Sequence, residues 1–86
     1  INVNLGFAYA KQKRYDEAIL EIREAVSLKP NDLDVQFLLG NIYILAKDKQ
    51  MALAQYEKIK ILNSPLAQKL YQAIYNDKLV VVAYNN

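Results

Sequence analysis

The sequence repeats itself after 34 residues, and this offset constrains the fold more than any other feature. Residues of the same or similar type recur at that spacing: Leu5 with Leu39, Gly6 with Gly40, Tyr9 with Tyr43, Ala18 with Ala52, Ile22 with Tyr56 and Leu28 with Leu62. A glycine inside a helix costs about 1 kcal/mol relative to alanine, so its recurrence indicates a packing role. We interpret both glycines as points where a partner helix approaches closely. A fixed period of this length predicts a stack of repeated units.

Apolar residues recur at helical spacing and predict an all-α chain of five helices. The predicted helices cover residues 1–11, 16–29, 33–47, 49–62 and 65–76. The third is apolar on nearly every side, so we expect it at the buried centre.

Polar residues and prolines separate the predicted helices. Pro30 ends the second helix, because proline cannot continue a helical turn. Asp48 is predicted to cap the fourth helix, and Ser64 to cap the fifth with Pro65 at its first position. The last apolar run, residues 79–84, fits a helix extension, an edge strand or a surface covered by another segment, and the sequence does not choose among them.

The repeated positions resemble the tetratricopeptide repeat, whose pattern is W-x2-L-G-x2-Y, then A-x3-F, then P. The resemblance places one repeat at residues 1–31 and a second at 32–64. Residues 65–78 would form the first helix of a third repeat or a capping helix, and 79–86 a tail of uncertain structure. The fold it implies is a right-handed superhelical stack of antiparallel helix pairs, an α-solenoid.

Some positions depart from the family pattern. The aromatic residue that opens the motif is replaced by Asn2 and Gln36, the second repeat has Ile59 where the first has Ala25, and its proline, Pro65, comes one position late. An ordinary helical bundle that shares the spacing by chance is the alternative. The RNA-binding pentatricopeptide relatives have a repeat one residue longer than the offset found here.

Composition excludes several classes of function. The 86 residues include 11 basic and 9 acidic side chains, a formal charge of +2, and no cysteine or histidine. The charges are interspersed, which does not favour a nucleic acid or an anionic membrane as partner. No apolar run approaches the ~20 residues of a membrane-spanning helix. We expect a soluble chain that belongs to a longer protein. Its compartment is open, with the cytoplasm as the default.

No catalytic or metal-binding constellation is recognisable. Ser27 and Ser64 are the serine hydroxyl groups that could act as nucleophiles, but no general base is recognisable for either of them. Ser64 is explained as a helix cap. The carboxylates of the second helix have the spacing of a solvent-exposed face. We therefore expect no enzymatic activity, no cofactor and no metal.

The resemblance implies that the first helix of each pair lines a concave groove. The predicted groove residues lie on the first, third and fifth helices: Val3, Phe7, Asp34, Phe37, Asn41, Ile44, Tyr71 and Tyr75. Asn41 at the floor would hydrogen bond a peptide backbone. Chaperone-binding members clamp a terminal carboxylate with Lys, Arg and Asn. Those positions are Val3, Phe7, Leu38, Gln68 and Gln72 here, which argues against such a ligand.

The leading hypothesis is a protein-interaction scaffold that binds an apolar or aromatic peptide or helix in this groove. The alternative is self-assembly through the repeat ends and the tail residues Leu79, Val80, Val81 and Val82. RNA binding is the third reading, and it is disfavoured because basic residues do not gather on the groove helices.

Overall fold

The computed structural model describes residues 3–76, which form five α-helices and no strand. The helices are α1 (Val3–Lys11), α2 (Tyr15–Leu28), α3 (Leu33–Leu45), α4 (Lys49–Leu62) and α5 (Ser64–Asn76). The prediction of an all-α chain with five helices is confirmed. None of these helices is long and apolar enough to cross a bilayer.

Helix α3 is the centre of the packing. It contacts α2, α4 and α5, and 10 of its 13 residues are buried. Helix α1 packs on α2, and α5 packs on both α3 and α4. The prediction of a buried third helix is therefore confirmed.

Helices α1 and α3 end in the same way. Lys13 and Lys47, which are 34 residues apart, both have a positive φ of 63°. After α1, the amide of Arg14 donates to the carbonyl of Tyr9 at 2.9 Å, and after α3 the amide of Asp48 donates to that of Tyr43 at 2.9 Å. This left-handed helix end, a Schellman motif, stops α3 at Leu45 rather than at the predicted residue 47.

Two of the predicted helix caps have different outcomes. Asp48 accepts a hydrogen bond from the amide of Met51 at 3.1 Å, which confirms it as the cap of α4. Ser64 is not the capping side chain of α5. Asn63 accepts the bond from the amide of Leu66 at 3.0 Å, because its short amide reaches the first turn from one residue earlier.

The two repeated glycines are closely approached, as expected, but by different helices. A methyl group on Gly6 would lie 2.5 Å from Cδ1 of Ile22, on α2. A methyl group on Gly40 would lie 2.7 Å from Cδ2 of Leu70, on α5. The expectation that a partner helix approaches each glycine closely is met, and at Gly40 the nearest side chain comes from α5 rather than from α4, the second helix of the same pair.

Gln36 holds the position where the family pattern has its opening aromatic residue, and it forms a buried hydrogen-bonded pair with Gln55 of α4. Gln55 Nε2 donates to the side-chain oxygen of Gln36 and, at 2.9 Å, to its backbone carbonyl. Gln36 Nε2 in turn donates to the carbonyl of Pro30 at 2.7 Å. The pair joins α3 and α4 to the loop that precedes them.

Candidate partner-binding surfaces

Four of the predicted groove residues share one face of α3, because they are spaced by three or four positions. Asp34 is exposed, but Phe37, Asn41 and Ile44 are 4%, 2% and 9% exposed. The structure thus does not present Phe37 as an open wall or Asn41 as an open floor, because α3 is enclosed on almost every side. Their participation in binding stays a prediction.

The two predicted residues of α1 are partly buried. Val3 lies beside Val35 of α3 at a shallow groove of about 150 Å³. Phe7 is covered by Lys11, whose Nζ lies 5.1 Å from the ring centroid. Val3 thus lies near the start of α3.

The two predicted residues of α5 lie against α4. The Tyr71 ring centroid is 5.1 Å from that of Tyr56 on α4 and 4.7 Å from that of Tyr75. Nζ of Lys49, also on α4, lies 4.3 Å from the Tyr75 centroid. Both tyrosines are exposed, at 39% and 52%.

This arrangement differs from the single groove wall expected from the sequence. Leu70 packs on Gly40 of α3, and adjacent helical residues point about 100° apart. Tyr71 therefore points about 100° away from the direction of that contact, and its ring lies against Tyr56 of α4.

One predicted residue lines a cavity. Ile44, Ala52 and Ile74 form an apolar floor, with Lys47 and Lys49 at the edge, around a space of about 190 Å³. We call this the Ile44 pocket. Through Lys49 it adjoins the ring of Tyr75. A space of this size and polarity suits one large apolar side chain.

Sequence reasoning missed a second groove, which lies between α2 and α4 over α3. It has a volume of about 220 Å³ and carries Arg23 on one side and Lys58 on the other. Tyr43 lies at its base, where burial raises the pKa of the phenol and the charge of Arg23 opposes that rise. The signal in the sequence is a basic residue on each second helix, Arg23 on α2 and Lys58 on α4.

Two further predictions concern metal binding and self-association. Within residues 3–76, no cluster of acidic residues is arranged to hold a metal ion. The proposed self-association residues Leu79, Val80, Val81 and Val82 lie outside the described residues.

Comparison with known families is consistent with this geometry. Residues 1–32 match one family model described as tetratricopeptide repeat, and residues 33–60 match a second model with the same description. No curated protein and no solved structure matches the chain.

Proposed function

The chain belongs to the tetratricopeptide repeat family of protein-interaction scaffolds, and we propose that it binds an apolar or aromatic segment of a partner protein through the Ile44 pocket. The observation that carries this proposal is the pocket itself. It has an apolar floor, it contains a residue of the predicted α3 face, and an exposed tyrosine flanks it.

The anchor in this proposal is one large apolar side chain. Its burial against Ile44, Ala52 and Ile74 would contribute about 1.5–3 kcal/mol. Tyr75 would extend the apolar contact, since aromatic rings carry much of the binding energy of protein interfaces. Val3, Phe7 and Asp34 would add contacts to the bound segment. Phe37 and Asn41 are buried and would support this face through packing.

A selection with a phage-displayed random-peptide library tests this function. We expect the selected peptides to share a Leu, Phe or Trp anchor. Tyr75→Ala should weaken their binding about tenfold, corresponding to about 1.4 kcal/mol. The matched control is Leu20→Ala on α2, which removes a 67% exposed apolar side chain that does not line the pocket and should leave affinity unchanged. Peptides without an apolar anchor, or equal effects of the two variants, would contradict the proposal.

Self-assembly is the second candidate, and exposed apolar residues at the helix ends favour it. Leu28 at the end of α2 is 64% exposed, and Ile61 near the end of α4 is 86% exposed. Because α2 and α4 are the second helices of successive pairs and run in the same direction, both side chains lie along the same edge of the stack. Sedimentation velocity over a concentration series tests this reading. A second copy docked there would dissociate in the Leu28→Asp/Ile61→Asp variant, and a monomer at every concentration would eliminate self-assembly.

A further inference from the structure

The groove between α2 and α4 has features that the peptide-binding proposal does not use. It involves a different face of α4 from the one that lines the Ile44 pocket: Met51 and Lys58 here, Lys49 and Ala52 there. Its base is apolar, because Leu39 and the ring of Tyr43 are each 4% exposed. Val26 from α2 and Met51 from α4 extend this apolar lining on either side.

The two charged side chains that line this groove are both basic. Arg23 and Lys58 are both exposed, and no carboxylate lines the groove. Within residues 3–76, neither Arg23 nor Lys58 forms an ion pair with a carboxylate. Two such cations facing one groove attract an anionic group and disfavour a cationic one.

The hydroxyl group of Tyr43 also reaches the groove. The residue as a whole is 4% exposed, but its hydroxyl oxygen keeps contact with solvent, so the hydroxyl can donate a hydrogen bond to a bound group. A carboxylate oxygen in the groove would accept this hydrogen bond.

We propose that the α2–α4 groove docks an acidic segment of a partner protein. One apolar side chain of that segment lies over Leu39 between Val26 and Met51, and its carboxylates pair with Arg23 and Lys58. The apolar base favours a peptide over an RNA strand, since sequence-tolerant RNA binding needs exposed aromatic rings on which bases stack. The groove presents none, because its one aromatic residue, Tyr43, is buried.

Fluorescence anisotropy with a defined probe tests the proposal. The probe is a labelled amphipathic peptide with Leu and Glu at helical spacing, and the matched peptide carries Gln in place of each Glu. We expect the Glu peptide to bind at least about tenfold more tightly than the Gln peptide, with an affinity that falls as salt is added.

Variants of the protein locate the binding site. Lys58→Glu should weaken binding about tenfold, whereas the same change at the exposed Lys69 of α5 should have less than about a twofold effect. Tyr43→Phe removes only the hydroxyl and should weaken binding severalfold, with Tyr15→Phe as its control. Circular dichroism verifies that all four variants are folded.

Four results would overturn the inference. Two concern the charges: equal binding of the Glu and Gln peptides, and equal effects of Lys58→Glu and Lys69→Glu. The other two concern the occupant: tighter binding of a single-stranded RNA oligonucleotide than of the Glu peptide, and loss of peptide binding when the chain self-associates. Tyr75→Ala should leave this binding unchanged, so failure here is distinguishable from failure of the Ile44 pocket.

Discussion

Gly6 and Gly40 hold equivalent positions in the repeat, yet the side chains that approach them differ in their freedom to move. Near Gly6, a methyl group would meet both Cδ1 and Cγ1 of Ile22, at 2.5 and 2.8 Å. Near Gly40, it would meet the terminal methyls of Leu70, at 2.7 and 3.0 Å. A β-branched side chain has fewer rotamers to escape into than a leucine.

We expect Gly6→Ala to lower the free energy of unfolding by about 1–2 kcal/mol, because overpacking at Ile22 outweighs the gain in helix propensity. Gly40→Ala should cost about 0.5 kcal/mol or less, since the ends of Leu70 can shift. Urea unfolding followed by circular dichroism measures both. A Gly6→Ala protein as stable as Gly40→Ala would show that Ile22 accommodates the methyl group.

The buried Gln36–Gln55 pair gives a second prediction for single residues. Gln55→Leu leaves the side-chain oxygen of Gln36 without its donor and should cost about 1–3 kcal/mol. Gln36→Leu should cost a similar amount, and the double variant less than the sum, by at least about 0.5 kcal/mol. A double-mutant cycle in urea tests this coupling, with exposed Gln68→Leu as the control. Additive effects would contradict it.

At the level of helices, the two repeats agree more closely in the turns that follow α1 and α3 than in the N-caps of α2 and α4. Lys13 and Lys47 have the same positive φ and follow the same hydrogen-bond pattern. The next residue differs, because Asp48 caps α4 through its side chain, whereas Arg14 makes no capping bond. Arg14 instead lies over the ring of Tyr9 and pairs with Glu17, which lowers the pKa of that carboxyl.

Lys13→Gly should raise the free energy of unfolding by about 0.5–1 kcal/mol. A non-glycine residue loses about 1–2 kcal/mol in the left-handed region, and part of the gain is offset by the entropy of glycine in the unfolded chain. The control is Lys11→Gly at the last residue of α1, where φ is not positive, so glycine relieves no strain and should lower stability by up to about 1 kcal/mol. Chemical unfolding compares the two, and destabilisation by Lys13→Gly would count against strain at this turn.

The helices could be predicted from the sequence because apolar periodicity, and the polar residues and prolines that separate the helices, are local signals. Their bounds agree within two residues in the described range, apart from the cap at Asn63. The candidate site was harder to predict from the sequence, because the rotation of α5 about its own axis depends on which neighbouring helix Leu70 contacts. The contact of Tyr71 with Tyr56 of α4 is one result of that packing, and no local pattern in the sequence encodes it.

At the scale of the whole molecule, the contacts are unevenly distributed. Helix α3 contacts three other helices, whereas α1 packs mainly on α2. In a stack of repeats each unit is stabilised by its neighbours, so the ends open first.

We therefore expect the amides of α3 to exchange most slowly with solvent deuterium and those of α1 to exchange fastest. Hydrogen–deuterium exchange with mass spectrometry measures this order directly. Protection of α1 equal to that of α3 would mean that the chain opens as one cooperative unit.

The contact between Gly40 and Leu70 also bears on how the molecule can be divided. A protein shortened after α4 would end at an apparent repeat boundary, yet it would lose the side chain that fills the hollow over Gly40. Apolar surface on the central helix would then face water, where it favours aggregation. In expression and domain-grafting work, the smallest transferable piece is therefore two repeats together with α5.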